Sequence, residues 1–181
     1  IELMIVVAII GLLAAIAIPN FIRFQARSKQ SEAKSNLKAL FSAEKAFFQE
    51  HDRFSSVVVD AGFAPERNNR YAYFLDPSHV EDSRSGTVAS TGTTATAISA
   101  DTFKGYADPA IQTLTCGGAL GISNAASVFT GQAAANLDSD ATIDVWSLST
   151  DSRVGSPACD GAPGSNIASG EPVNDVDDSL R

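Results

Sequence analysis

Apolar residues follow two different patterns along the first fifty positions. Residues 3–18 are all apolar or glycine. At 1.5 Å per residue this run and its flanks span roughly 27 Å as a helix, just enough to cross a bilayer. Between Ala33 and Phe48, by contrast, apolar residues recur at spacings of three and four, which is typical of an amphipathic helix. The pattern predicts one helix of about fifty residues, apolar all round in its first half and one-sided in its second.

The remaining residues predict a β-rich head that packs on the one-sided part of the helix. Four segments combine apolar, aromatic or β-branched residues with flanking turn formers, and they are predicted to be short strands. They are residues 70–75, 103–107, 127–131 and 141–150. In the last segment the alternation changes phase between Val145 and Trp146, which predicts a bulge or a strand covered on both faces. We therefore expect an α+β fold with a helix over residues 1–50 and a head over residues 51–181.

Two stretches of the head contain few large apolar residues. The tract at 83–99 is rich in Ser, Thr, Gly and Ala, a composition typical of a surface loop or an edge strand. The segment after Cys159 combines many turn formers with few apolar residues. We expect a surface loop and tail there.

The charge of the chain is divided unevenly. The formal net charge is −8 at pH 7, and the acidic excess lies in the head, because residues 1–50 contain slightly more Lys and Arg than Glu. An acidic surface repels phosphate backbones, and the few arginines of the head are scattered along its sequence. Nucleic-acid binding by the head is therefore not expected.

The two cysteines, Cys116 and Cys159, lie in the same part of the chain, which is rich in Gly, Ser and Ala. Neither belongs to a CxxC motif or has histidine neighbours, so metal ligation and redox catalysis lack support. Beside a membrane-inserting helix, an even pair is typical of a structural disulfide formed outside the cytoplasm. Such a bridge would stabilise the fold by roughly 4 kcal/mol in the chain-entropy account. Two separate buried thiols are the alternative.

Candidate chemistry in the head is weak. Asp138, Asp140 and Asp144 lie close together in the sequence and resemble the acidic part of a calcium-binding loop. The glycine and the distal glutamate of an EF-hand are missing, so an Asp-rich turn that enters a strand is the favoured interpretation. His51 and His79 are the only histidines, and neither belongs to a nucleophile or metal motif. No cofactor and no enzymatic activity are predicted.

Two residues of the opening segment do not suit a plain membrane anchor. Pro19 removes a helical hydrogen bond and clashes with the preceding turn, at a cost of roughly 3 kcal/mol in a soluble helix interior. Glu2 is costly in hydrocarbon unless it stays at the interface or pairs with a cation. A single-pass anchor that carries a periplasmic enzyme or binding protein explains the apolar run, but it gives neither residue a task.

The opening residues IELMIVVAIIGLLAAIAIPNF closely resemble the N-terminal signature of type IV pilins and of the related type II secretion pseudopilins. The family's motif usually contains Phe-Thr-Leu, three residues that would precede Ile1. The second half of the helix and the segments GFAPERNNRYAYF and DSDATIDVW are more loosely similar to type IVa major pilins. The resemblance implies the pilin fold, in which one long N-terminal helix packs on an antiparallel sheet.

The resemblance also implies roles for the unusual residues. Glu2 matches the family's acidic position, which is thought to pair with the amino terminus of a neighbouring subunit, and an unpaired carboxylate buried there would be strongly penalised. Gly11 and Pro19 match the positions between which pilin helices unwind in filaments, and both residues weaken a helix. Close helix packing is the alternative explanation for Gly11.

The function implied by the resemblance is structural, that of the major subunit of a type IVa pilus. A prepilin peptidase would cleave and methylate the subunit, which would wait in the inner membrane until the pilus assembly machinery adds it to a homopolymer outside the cell. Such retractable filaments serve twitching or gliding motility, adhesion and DNA uptake. The major pseudopilin of a type II secretion system is the nearest alternative, although pseudopilins are usually shorter and lack a late cysteine pair.

Overall fold

The long helix predicted from the sequence is present. The computed structural model describes residues 1–86, 93–116, 118–123, 127–138, 141–155, 159 and 166–178. Helix α1, Glu2–His51, is one continuous element of 50 residues. It ends at Asp52, whose backbone is left-handed (φ 53°) and whose N–H donates to the carbonyl of Phe48 over 2.9 Å. Asp tolerates this conformation better than most residues, so the helix end is defined locally.

Short elements make up the head. A single-turn helix, α2, covers Val58–Ala61, and a 3-10 turn covers Thr102–Lys104. The strands are β1 Ala72–Phe74, β2 Glu81–Asp82, β3 Ala97–Ile98, β4 Gly121–Ser123, β5 Val128–Ala135, β6 Asp144–Ser149, β7 Arg153–Val154, β8 Asn166–Ile167 and β9 Val173–Val176.

Most of these strands form one sheet. Its order is β2-β3-β1-β5-β6-β9, and β4 pairs with β5 beside this path. The paired strands are antiparallel except for β2 and β3, which are parallel. Strands β7 and β8 form a separate antiparallel pair. The fold is therefore α+β, one long helix packed on a largely antiparallel sheet, as predicted.

The second half of α1 forms one wall of the main core. Its buried residues recur at spacings of three and four and face β5 and β6; they are Gln30, Ala33, Leu37, Leu40 and Glu44. Gly131 of β5 lets the two elements approach closely, because a Cβ atom at this position would lie 2.8 Å from Cδ2 of Leu40. Apolar burial between helix and sheet thus holds this half of α1 to the head.

Three of the four predicted strands are present. The segments at 70–75 and 127–131 contain β1 and the start of β5, and β6 lies within 141–150. The pairing of β6 with β9 shifts register between Val145 and Trp146, and every residue of β6 is buried. Both explanations for the phase change therefore apply, since the strand has a bulge and is covered on both faces.

The strand predicted at 103–107 is wrong, because Thr102–Lys104 forms a 3-10 turn. The N–H of Gly105 donates to the carbonyl of Thr102 over 3.0 Å, and the positive φ of this glycine (85°) ends the turn. The segment is held from a distance, since the buried carboxylate of Asp101 accepts two hydrogen bonds from Arg67 at 2.9 and 3.0 Å. A contact between residues so far apart leaves no trace in a local pattern.

The surface loop and tail predicted after Cys159 is also wrong. Both β8 and β9 lie in this segment, and β9 joins the main sheet beside β6. Asp175 of β9 is buried, and its Oδ1 accepts the N–H groups of Thr115 and Cys116, each over 2.8 Å. A polar residue that is buried with its own hydrogen-bond partners looks like a loop residue in a hydropathy pattern.

The tract at 83–99 is only partly described, because residues 87–92 lie outside the described ranges. Its end forms β3, which is buried between β2 and β1. The edge strand considered for this tract is therefore wrong for residues 97–98, which lie inside the sheet.

The disulfide predicted from the sequence is present. Cys116 and Cys159 are joined, with their Cα atoms 5.4 Å apart. Both are buried and form a small cluster with Ile167 and Val173. The bridge connects the chain before β4 with the chain between β7 and β8, a part of the head that has few apolar residues of its own.

Replacing both cysteines by alanine should lower the free energy of unfolding by about 4 kcal/mol, because the unfolded chain regains the entropy that the bridge removes. We expect a lower urea midpoint for the detergent-solubilised chain, followed by near-ultraviolet circular dichroism. Wild-type chain reduced with dithiothreitol is the control and should unfold like the variant. Midpoints that stay at the wild-type value in both samples would contradict a stabilising role for the bridge.

Candidate assembly surface

The first half of α1 projects beyond the head with its apolar side chains uncovered. Leu3, Met4 and Leu12 are 76%, 75% and 67% exposed, and the first buried residue of the helix is Gln30. By length and composition α1 could cross a membrane. Removing a Leu or Ile side chain from water is worth roughly 1.5–3 kcal/mol. An apolar surface of this extent therefore needs lipid or other apolar helices around it.

Glu2 lies in the first turn of α1, where the free N–H groups of a helix favour a carboxylate. Its side chain is exposed. Among the described residues, no basic group lies within ion-pair distance of Glu2. The carboxylate is therefore available to a cation from outside the chain.

Gly11 and Pro19 both lie inside the continuous helix. A Cβ atom on Gly11 would meet nothing within 4 Å, so packing inside this subunit does not require glycine there. Pro19 has no N–H to donate to the carbonyl of Ala15, which leaves a gap in the hydrogen-bond ladder. The stretch between the two residues is helical in the single chain, but Gly11 and Pro19 lower the stability of the helix at its two ends.

The three aspartates considered as calcium ligands have different surroundings. Asp140 lies outside the described residues, Asp138 is exposed, and Asp144 is fully buried. Within the described ranges, no group of three or more His, Cys, Asp or Glu residues could hold a metal ion. Asp144 is instead bound by donors from the protein itself.

The carboxylate of Asp144 is the centre of a buried polar cluster. Its two oxygens accept hydrogen bonds from Tyr71 Oη (2.7 Å), Trp146 Nε1 (2.6 Å), Gln30 Nε2 (2.9 Å), Asn174 Nδ2 (3.3 Å) and the N–H of Asp178 (3.3 Å). Burial raises the pKa of Asp144 above its ordinary value, although the bonds from Tyr71 and Gln30 lower it. The cluster joins α1, the chain before β1, β6 and the end of β9 through one side chain.

The helix is fastened to the head where its exposed half ends. Lys29 Nζ donates to the carbonyl of Leu137 over 2.5 Å, and Gln30 Nε2 also donates to Asp177 over 2.9 Å. Two residues after Gln30, Glu32 accepts the N–H of Arg70 over 2.8 Å. These contacts mark the boundary between the projecting and the packed parts of α1.

A second carboxyl group, that of Glu44, is buried farther along the helix. Its Oε2 accepts the N–H of Ser55 over 3.1 Å, whereas its buried Oε1 has no hydrogen-bond partner. Burial raises the pKa of Glu44 to about 7, and the bond from Ser55 opposes this rise. Neither Gln30 nor Glu44 was predicted from the sequence to be a functional residue. Both are polar residues at helix positions where the spacing of three and four places apolar residues, and this pattern could have indicated that they are buried.

A groove of about 630 Å³ lies between α1 and the chain at 62–69. Its lining includes Glu32, Asn36 and Asn68 but no histidine, cysteine or lysine. The Glu32 carboxylate is already occupied by backbone N–H groups. Ser35 also lines the groove, but among the described residues no hydrogen bond joins its hydroxyl to Glu32 or Glu66 as a nucleophile would be joined to a base.

Comparison with known proteins identifies the family. A family model described as type IV pilin PilA matches residues 24–146. The chain belongs to the type IV pilin family. The pilin is 44% identical over 200 residues to the type IV major pilin protein PilA of Myxococcus xanthus, an alignment that covers 98% of the chain and 90% of that relative.

More distant relatives match about half of this pilin. It is 40% identical over 99 residues to a fimbrial protein of Pseudomonas aeruginosa, which covers 49% of the chain and 60% of that protein. Over 82 residues it is 33% identical to the type IV major pilin protein PilE1 of Neisseria gonorrhoeae, covering 45% of the chain and 46% of that relative. The similarity to the Myxococcus protein therefore extends through the head, whereas these two matches cover less than half of the chain.

Replacing Glu44 by glutamine should flatten the pH dependence of stability. The folded-state pKa of about 7 lies above the ordinary value of 4.5, so protonation stabilises the fold below pH 4.5 and this contribution is lost as the pH rises through 7. Between pH 5 and 8 we expect the wild type to lose roughly 1–3 kcal/mol more stability than Glu44→Gln. Urea unfolding at several pH values measures this difference.

Asp60→Asn is the matched control, because Asp60 is an exposed carboxylate that forms no ion pair with the described residues. Its stability profile should follow that of the wild type. Parallel profiles for Glu44→Gln and the wild type would contradict a buried carboxyl group that ionises near pH 7.

Proposed function

We propose that this chain is the major structural subunit of a type IVa pilus, and that it polymerises through the first half of α1. The observation that carries the proposal is the division of one helix into a packed half and an uncovered apolar half. Relatives named as major pilins and fimbrial proteins support a pilus over a secretion pseudopilus. A structural role needs no catalytic residues.

In this proposal, Glu2 sets the register between copies. The amino terminus of a neighbouring subunit supplies the cation that a single chain lacks. Inside the apolar centre of a filament a lone carboxylate would be strongly penalised, whereas a paired one is tolerated. The Glu2 carboxylate can therefore form this ion pair at only one axial position of an incoming subunit.

Gly11 and Pro19 delimit the part of the helix that unwinds on assembly or under tension. The gap in hydrogen bonding at Pro19 and the flexibility of glycine lower the cost of melting between them. The contacts at Lys29 and Gln30 would keep melting away from the head. The fibre gains extensibility while the sheet stays folded.

The location of the chain changes during its life. Before assembly the apolar half of α1 lies in the inner membrane, where a prepilin peptidase processes the subunit. The pilus machinery then moves the chain into an extracellular filament that serves twitching or gliding motility, adhesion and DNA uptake. The acidic head forms the outer surface of that filament.

Replacing Glu2 by alanine should leave the subunit in the membrane and reduce filaments at least tenfold, because the register-setting ion pair is lost. Immunoblots of membrane fractions and of sheared surface material measure the two pools. Glu50→Ala is the control, since it removes an exposed carboxylate from the packed half of the same helix. A wild-type filament yield from Glu2→Ala would overturn the proposed role of this residue.

A further inference from the structure

One face of α1 carries a row of basic side chains. At about 100° per residue, the members of this row fall within about 60° of one another around the helix axis. They are Arg23, Arg27, Lys34, Lys38 and Lys45, and we name them the basic stripe. At 1.5 Å per residue the stripe is about 33 Å long. Along its length, no acidic residue of α1 falls within the same sector.

The basic stripe has no acidic partner in the described part of the chain. Ion pairs there join His51 with Glu50, Arg67 with Asp101 and His79 with Glu81, and no member of the stripe takes part in one. Lys34 lies over the Trp146 ring at 4.5 Å and Lys45 over the Phe41 ring at 5.6 Å, contacts that do not neutralise a charge. Like charges on neighbouring turns of a helix repel each other. A negative partner from outside the chain would relieve that repulsion.

Two carboxyl groups lie together at the opposite side of the head. Glu81 belongs to β2, an outer strand of the sheet, and Asp108 lies beside it. Burial raises the pKa of Asp108, and the nearby Glu81 carboxylate raises it further. His79 Nε2 is 3.4 Å from Glu81, and both side chains are partly exposed. We name Glu81 and Asp108 the acidic edge.

The strand order separates the basic stripe from the acidic edge. Lys34 of the stripe lies on Trp146 of β6, next to the outer strand β9, whereas β2 lies at the other end of the order. The opposite face of α1 is turned towards β1, because Glu32 contacts the chain just before that strand. One subunit therefore presents positive charge on one side and negative charge on the other.

We propose that the basic stripe of one copy docks against the acidic edge of a neighbouring copy. A contact between two different surfaces of the same chain is heterologous, and such contacts extend into open helical polymers when the rotation does not close. Each chain has a net charge of −8, and the acidic excess lies in its head. Heads therefore repel each other in a crowded fibre, and this contact offsets that repulsion. The inference rests on the proposed function, because it assigns a surface to the filament that the chain builds.

A charge-swap experiment tests this contact in cells. The stripe variant is Arg27→Glu with Lys38→Glu, two exposed positions whose side chains form no hydrogen bond, ion pair or ring contact with the described residues. The edge variant is Glu81→Lys with Asp108→Asn, where asparagine keeps an acceptor for the N–H of Ala100. Each variant should lower the yield of sheared filaments about fivefold or more, and their combination should restore it to within about twofold of the wild type.

The matched control is Arg53→Glu with Lys104→Glu, which changes the net charge as much as the stripe variant at two exposed residues that belong to neither the basic stripe nor the acidic edge. It should give a wild-type filament yield with an unchanged membrane pool. A wild-type yield from the stripe variant overturns this inference and leaves the proposed function intact. Loss of filaments without rescue by the combined variant also overturns it, because the stripe then serves a lipid or another protein.

A variant that neutralises the charges is used if charge reversal prevents the subunit from accumulating in the membrane. Arg27→Gln with Lys38→Gln should lower the filament yield about twofold, and its filaments should respond less to added salt than the wild type. An unchanged yield with the same salt response overturns the inference. The absence of filaments from the wild-type chain itself would instead count against the proposed function.

Discussion

The uncovered apolar half of α1 is the constraint on which the rest of the structure depends. A single copy in water cannot shield these side chains, because the sheet reaches only the second half of the helix. The chain must therefore be surrounded by lipid or by other copies of the same helix. The head must bind the second half of α1 while the first half lies in lipid or among other helices.

Two kinds of contact hold the packed half. Leu37 and Leu40 supply apolar burial against the sheet, a contact without strong direction. Near the point where the helix leaves the head, Gln30 binds the buried carboxylate of Asp144, and Lys29 binds a backbone carbonyl. Hydrogen bonds of this kind are directional in a buried setting, so they fix the rotation and axial position of the helix.

Much of the helix and part of the sheet could be predicted from the sequence, because their signals are local. The length of α1 and the bulge in β6 both follow from hydrophobic spacing. The 3-10 turn at Thr102–Lys104 and the strand β9 could not be predicted in this way. Their positions depend on Asp101 and Asp175, polar residues that are buried by contacts with distant parts of the chain.

The candidate assembly surface was predicted to a similar extent. Glu2, Gly11 and Pro19 are visible in the sequence because they depart from a plain apolar run. The hydrogen bonds of Asp144 were not visible, since its partners come from separate regions of the sequence. The helical spacing of the sequence already places the basic stripe on one face of α1. The structure adds that its charges have no acidic partner among the described residues.

Cryo-electron microscopy of sheared surface fibres would show whether the apolar half of α1 is the contact between copies. We expect fibres built from this chain in which residues 3–18 of neighbouring copies contact one another along the fibre axis, while the heads form the surface. Fibres in which these residues face water, or a cell surface whose fibres lack this chain, would contradict this expectation.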